Sequence, residues 1–358
     1  MANQTFDIES ILSLIAKNPN ISDLHLSAWE SIAYRLNWSI IREEQAGKLN
    51  QETMEIILRQ LLQWNPQRYD KFLGDKDVDF AYISKDWTPY RVNAFLKTWR
   101  IAVVMRKINQ EAKSLEDLMF TDIANSIRKN VLSKTKWLYL VTWPTWSGKS
   151  TSLVAMLEEL NKSRSEHMIT IEDPIEYVFE PKKCIVSQRE LGHDTWSFEN
   201  ALRASMREDP DIIFVGEIRD RQTAEAALSL AETWHLVFST LHTNSASNTI
   251  NRFISFFPPE IQMSVCDRFA EACIWVQSQF LVKSKDQKTR VWVYEVMINT
   301  TSIKNNIKKR EIEQIDSIIE TSSLIWMINL EWYAKRLLEK DIIDPNEVER
   351  LINKNSMI

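Results

Sequence analysis

Ser147-Gly148-Lys149-Ser150-Thr151 stands between an apolar run, WLYLVT (137–142), and a stretch of helical spacing, STSLVAMLEELNKS (150–163). A strand, a Gly-Lys-Ser turn and a helix together form the closing half of a phosphate-binding loop. Its backbone N–H groups and the helix N-terminus hold phosphate oxygens, the lysine reaches the β and γ phosphates, and the serine hydroxyl binds magnesium. The full motif, G-x-x-x-x-G-K-[ST], begins at Trp143 and runs through Pro144, Thr145 and Trp146. Three further polar clusters close or follow apolar runs: TIEDPIEY (170–177), DIIFVGE (211–217) and VFSTLHT (237–243). Carboxylates, a histidine and a phosphate loop at strand ends are the residue types that phosphoryl transfer to water requires.

The elements that must carry these groups follow from periodicity. WLYLVT, HMITIED, DIIFVGE and HLVFSTLH are compact hydrophobic runs separated by helical patterns such as SFENALRASMRE and RQTAEAALSLAET. That alternation predicts a parallel sheet covered on both faces, with ligands at the carboxyl ends of its strands. After about residue 265 the pattern reads as helical, with one strand-like run, RVWVYEVMI (290–298). Residues 20–110 instead alternate apolar and polar positions (DLHLSA, YRLNWSI, DVDFAYIS, YRVNAFL, IAVVMRKI), as antiparallel strands do. QETMEIILRQLLQ and DIESILSLIAK have helical spacing beside them. The expected organisation is an α+β domain over 1–110, a linker over 111–120 and the parallel-sheet domain over 121–358.

Composition bounds the partners. The 358 residues carry a net charge of −5, so no chain-wide positive field exists to hold nucleic acid or an anionic membrane. Three cysteines (Cys184, Cys266, Cys273) without a C-x-x-C pair support neither a disulfide framework nor a zinc site, and a reducing, cytoplasmic compartment is expected. No apolar run approaches the roughly 18 residues of a spanning helix, so no transmembrane segment is expected.

Glycine is out of line. At the usual share of about 7%, about 25 glycines are expected, yet the chain has 5 Gly and 14 Trp. A literal indole at 143 or 146 would fill the space where backbone amides approach phosphate. The sequence therefore implies that most of these tryptophans are glycine in the living protein, as they would be in a genetic code where UGA means glycine.

Read with glycine at those positions, the chain resembles, almost from end to end, the hexameric ATPases of type IV pili and type II secretion, and among them most of all the pilus retraction ATPases. The resemblance rests on SDLHLSAW and YRLNW, with Trp29 and Trp38 at glycines, and on DVDFAYI, YRVNAF, TIEDPIEY, ALRASMREDPDIIFVGEIRD and AETWHLVFSTLHTNSA, with Trp234 at a glycine. It implies a RecA-like P-loop ATPase domain with a smaller N-terminal α+β, PAS-like domain, the nucleotide lying between them. It also implies a homo-hexamer using ATP and Mg2+, docked on an inner-membrane pilus platform protein at the inner face of the cytoplasmic membrane, with no direct nucleic-acid contact.

The same resemblance assigns roles residue by residue. Lys149 clamps phosphate and Ser150 ligates magnesium. Glu217 is the Walker B acid at the metal, with Gly216 where other families have Asp. Glu176 is the general base, His242 the γ-phosphate sensor, and Arg91 and Arg106 the arginines that reach the nucleotide. SIKNNIKKRE (302–311) resembles the A-I-R-N-L-I-R-E motif of retraction ATPases, with Asn306 in place of a leucine. Assembly and secretion ATPases usually add an N-terminal domain and a four-cysteine loop, neither of which fits this chain. They remain the alternative within enzymes, and a ring scaffold that does not hydrolyse nucleotide is the alternative outside them.

Overall fold

The computed structural model describes all residues except 1–6, 17, 19–20, 37–38, 109–110, 143–148, 288, 323–326 and 357–358. Contacts divide the chain into two units. The first comprises Met1–Glu111, Glu172–Val178 and Gln188–Ser197, and the second Ala112–Ile171, Phe179–Ser187 and Phe198–Ile358.

In the first unit six strands form one antiparallel sheet: β1 (Ile21–Ser27), β2 (Ser31–Leu36), β3 (Ser39–Lys48), β4 (Asp77–Ile83), β5 (Pro89–Lys97) and β6 (Arg100–Lys107), in the order β3-β2-β1-β6-β5-β4. The alternation seen in the sequence becomes an inside and an outside. Val78, Phe80 and Tyr82 of β4 are buried beside Val92 and Ala94 of β5, in a core closed by Ile57, Leu58 and Leu61 of the helix Gln51–Leu61. Two elements escaped the sequence reading. β3 (SIIREEQAGK) is too polar to register as a strand, and the helix Pro66–Asp75 is announced only by its start, where Asn65 accepts the N–H groups of Gln67 and Arg68 and Pro66 fills the first turn.

The second sheet is formed by β7 (Trp137–Thr142), β8 (His167–Glu172), β9 (Ile185–Glu190), β10 (Ile212–Val215), β11 (Leu236–Leu241), β12 (Cys273–Lys283) and β13 (Arg290–Ile298), in the order β13-β12-β7-β11-β10-β8-β9. β12, β7, β11, β10 and β8 run parallel, and every residue of β10 and β11 is buried, as continuous apolar runs demand. β13 joins antiparallel to β12. β12 was read as helix because its apolar start continues an amphipathic helix and its middle, Gln277-Ser278-Gln279, is polar. All three residues are nevertheless buried, and Gln277 accepts the Tyr139 hydroxyl at 2.8 Å. Residues 112–120, read as linker, belong to the second unit, where Leu115, Leu118 and Met119 are buried.

Backbone angles bear on the glycine deficit. Among the described residues thirteen non-glycine residues have positive φ, and six of them are tryptophan: Trp29, Trp64, Trp87, Trp99, Trp137 and Trp234. The turn types explain why glycine belongs there. Ser27-Ala28-Trp29-Glu30 closes with a Glu30 N–H to Ser27 carbonyl bond of 3.1 Å, and Trp29, at φ +68°, is its third residue, which in a type II turn needs positive φ. Thr98 (φ +50°) and Trp99 (φ +65°) form the two-residue loop between the paired Lys97 and Arg100, a type I′ geometry that favours glycine second. Trp234 (φ +69°) follows the helix Arg221–Glu232, and the next N–H, of His235, returns to the Leu230 carbonyl at 3.3 Å, as in a Schellman end. Trp99 is 90% exposed, and Trp234, 71% exposed, gains only the Lys136 ammonium, 4.1 Å from its ring centroid.

Trp99→Gly and Trp234→Gly should each raise the free energy of unfolding by roughly 0.5–1 kcal/mol, since relief of about 1–2 kcal/mol of left-handed strain outweighs glycine's added chain entropy. Trp332→Gly, in the helix Leu330–Glu339, should lower it by roughly 0.5–1 kcal/mol. Urea unfolding measures all three, and equal losses at all three would contradict this reading.

Candidate active site

The parallel register aligns the carboxyl ends of β7, β8, β10 and β11. Thr142 ends β7 opposite Leu241 of β11, while Val215 ends β10 between Ser239 of β11 and Ile171 of β8. The residues that follow these strands are the phosphate-loop segment after β7, Asp173 onward after β8, Gly216 and Glu217 after β10, and His242 after β11. Trp143, Pro144, Thr145, Trp146, Ser147 and Gly148 lie outside the described residues, as does the Lys149 side chain. Lys149 opens the helix Lys149–Ser163, and Ser150 and Thr151 in its first turn are half-buried.

Glu217 and His242 meet. His242 Nε2 lies 3.1 Å from Glu217 Oε2, and Arg219 pairs with the other carboxylate oxygen. The Glu217 side chain is 16% exposed, so it is screened on most sides yet still reachable. Among the described residues no group of three or more His, Cys, Asp or Glu side chains could hold a metal by itself. A hydroxyl and one carboxylate suit Mg2+, which keeps most of its octahedral positions for water and phosphate oxygens.

Glu176 belongs to the first unit, four residues past the end of β8. Its carboxylate lies 3.5 Å from Arg91 Nη1, and its N–H reaches Glu172 Oε2 at 3.3 Å. Arg91 and Arg106 stand directly opposite each other on β5 and β6. Arg106 donates to Asp23 at 2.7 Å. Burial works against the Asp23 charge, but hydrogen bonds from Ser22 and Arg106 prevail and hold its carboxyl below the usual range. Sequence reasoning missed Glu190, which fixes the Glu176 segment. It accepts the N–H groups of Ile175 at 3.1 Å and Ala81 at 3.0 Å, and pairs with buried Arg68 at 3.4 Å. Burial pushes Glu190 up and pulls Arg68 down, so desolvation outweighs the pairing.

A polar layer lies beneath the strand ends of the second unit. Thr142 Oγ1 is 3.0 Å from Ser278 Oγ and 3.3 Å from Thr249 Oγ1, all three residues being buried. Glu295 of β13 accepts the Ala246 N–H at 2.8 Å. Burial pushes its carboxyl up to about 7 and that of neighbouring Asp316 upward as well. In the helix Thr301–Lys309, within SIKNNIKKRE, Ile303 and Ile307 face the core while Lys304 and Lys308 both bind Glu271, which they hold down at about 2. The pattern of that segment is therefore a packed face with Lys304 and Lys308 engaged beside it.

The family described as type II/IV secretion system protein matches residues 9–306. The chain belongs to this family. The type IV pilus retractation ATPase PilT of Pseudomonas aeruginosa is 39% identical over 337 residues, which is 94% of this chain and 95% of that protein. The twitching motility protein of Neisseria gonorrhoeae is 37% identical over 316 residues, 88% of this chain and 81% of its own. A crystal structure of the pilus retraction motor PilT with bound ADP matches with a TM-score of 0.84 at 34% identity, covering 96% of each chain. The chain is accordingly an ATPase of the type II/IV secretion family, with its RecA-like domain and a smaller α+β unit. Among the described residues no helix is long and apolar enough to cross a membrane.

Two outcomes follow from the buried carboxylates. Glu190→Ala should cost about 3–5 kcal/mol by stranding the Arg68 charge, whereas Arg91→Ala, at an exposed pair, should cost under about 1 kcal/mol; denaturant titration measures both. Because the folded pKa of Glu295 is raised, its favourable contribution is complete below pH 4.5 and is lost as pH rises through about 7. Relative to Glu295→Gln, which cannot ionise, the unmodified chain should lose stability between pH 5 and 8. The like charge of Asp316 also raises the Glu295 carboxyl, so the difference reports the coupled pair. A pH-independent difference would contradict this.

Proposed function

We propose that the chain hydrolyses MgATP to drive retraction of a type IV pilus, as a homo-hexamer docked on an inner-membrane platform protein at the cytoplasmic face. The carrying observation is the Glu217–His242 pair at the sheet edge to which the phosphate-loop strand also runs. Full-length similarity to proteins named for pilus retraction and twitching motility supports retraction. The type II secretion protein E of Xanthomonas campestris, by contrast, matches over only 47% of its own length.

In this reading Ser150 and Glu217 would hold the magnesium ion, which when bound offsets charge on the phosphates. Lys149 holds the β and γ phosphates, Glu176 takes the proton of the attacking water, and His242 donates to the γ-phosphate oxygens. Arg91 and Arg106 suit contact with phosphate because guanidinium stays charged and grips through two donors. We further infer that positions 143 and 146, and the six left-handed tryptophans, are glycine in the living protein. The loop residues 143–148 can wrap phosphate only if the backbone is free to approach it.

A chain carrying glycine at 143 and 146 should hydrolyse ATP, and Lys149→Ala and Glu217→Gln should each lower kcat by at least about a hundredfold. Unchanged turnover in both variants would contradict the assignment. In the source cells, deletion should leave excess pili and no twitching; loss of pili would point to extension instead.

A further inference from the structure

Glu295 lies far from the phosphate loop in sequence, inside the strand-like run 290–298 and outside every motif to which a role was assigned. It faces Ser278 across the β12–β13 ladder, and the Ser278 hydroxyl bonds to its carboxylate. The same hydroxyl lies 3.0 Å from Thr142 Oγ1, the last side chain before the phosphate loop. The other carboxylate contact is the Ala246 N–H at 2.8 Å, in the first turn of the helix Ala246–Ser255. Only Thr243, Asn244 and Ser245 separate that helix from His242.

This short connection is held from a second side. Thr249 Oγ1 donates to the Ser245 carbonyl at 2.6 Å, lies 2.7 Å from Thr243 Oγ1, and reaches Thr142 Oγ1 at 3.3 Å. Ser247 Oγ donates to Asp316 at 3.0 Å. The end of β7 and the loop carrying His242 thus share one set of hydroxyls, and Glu295 anchors it. Losing that anchor would leave a helix-end N–H without an acceptor and free the connection to shift.

We propose that Glu295 is a positioning residue for hydrolysis. Through Ala246 and the Ser278–Thr142–Thr249 hydroxyls, it fixes the loop that places His242 relative to Glu217. The proposal rests on the ATPase reading above, in which His242 faces the γ phosphate. It adds a buried residue whose effect passes through His242.

The test uses the full chain with glycine at 143 and 146, comparing Glu295→Ala, Glu295→Gln, His242→Ala and the Glu295→Ala/His242→Ala double variant. Glu295→Ala should lower kcat about tenfold, as a small displacement of a reacting group does, while KM for ATP stays within about twofold. The double variant should be no slower than His242→Ala alone, because both changes remove one function. Glu295→Gln keeps a carbonyl acceptor for the Ala246 N–H and should retain most of the kcat. Should Glu295→Ala fail to fold, Glu295→Met, which fills the same space and offers no carbonyl acceptor, takes its place in the same comparison. A kcat unchanged in Glu295→Ala, or losses that multiply in the double variant, would overturn the proposal. The absence of any hydrolysis by the parent chain would instead overturn the ATPase reading beneath it.

Discussion

A left-handed backbone residue is a demand for the absence of a Cβ, and this fold makes that demand at nearly every reversal of the first sheet. Trp29 lies in the β1–β2 turn, Trp87 in the β4–β5 turn and Trp99 in the β5–β6 turn, each with φ between +62° and +68°. The strand register on both sides of those turns is what stacks Val78, Phe80, Val92 and Ala94 into one core and what sets Arg91 opposite Arg106. Helix ends carry the same demand, at Trp64 and Trp234. At about 1–2 kcal/mol for each residue with a Cβ, six such positions would consume most of a typical stability of about 5–15 kcal/mol. The geometry is economical only if those positions carry glycine.

The second unit solves a different problem, which is to bring groups distant in sequence to one edge. Parallel strands buried along their length deliver their carboxyl ends together, so Glu217 and His242 meet although 25 residues separate them. The sheet's interior is not wholly apolar near that edge. Tyr139 with Gln277, and Thr142 with Ser278 and Thr249, form a buried layer in which each named group has a partner. Such a layer holds one arrangement well, because moving a member would strand its neighbours in a low-dielectric interior. The strand ends are thereby made rigid close to where Glu217 and His242 meet.

Much of this was legible in the sequence, and the reasons for success and failure are physical. Runs such as DIIFV and LVFSTL could be placed because a strand covered on both faces has no polar position to blur it. Glu217 and His242 could be placed because they close such runs. β3 and β12 were missed for the opposite reason: one is a polar strand, and the other buries Gln277 and Gln279 by satisfying them internally. Glu190 and Glu295 were invisible because their function is contact with backbone N–H groups of Ile175 and Ala246, which no spacing rule announces. Trp64 and Trp99, which composition could not sort, are sorted by φ.

The central claim, that the backbone here was selected with glycine at these positions, is tested most directly by the mass of one native peptide. Trypsin should release residues 137–149, which contain Trp137, at φ +120°, together with Trp143 and Trp146 of the phosphate loop. Isolated from the source cells, that peptide should be lighter than the written sequence by three tryptophan-to-glycine differences. A mass matching three tryptophans would contradict the account, leaving a phosphate loop obstructed by two indoles and a strained fold with no explanation for its turns.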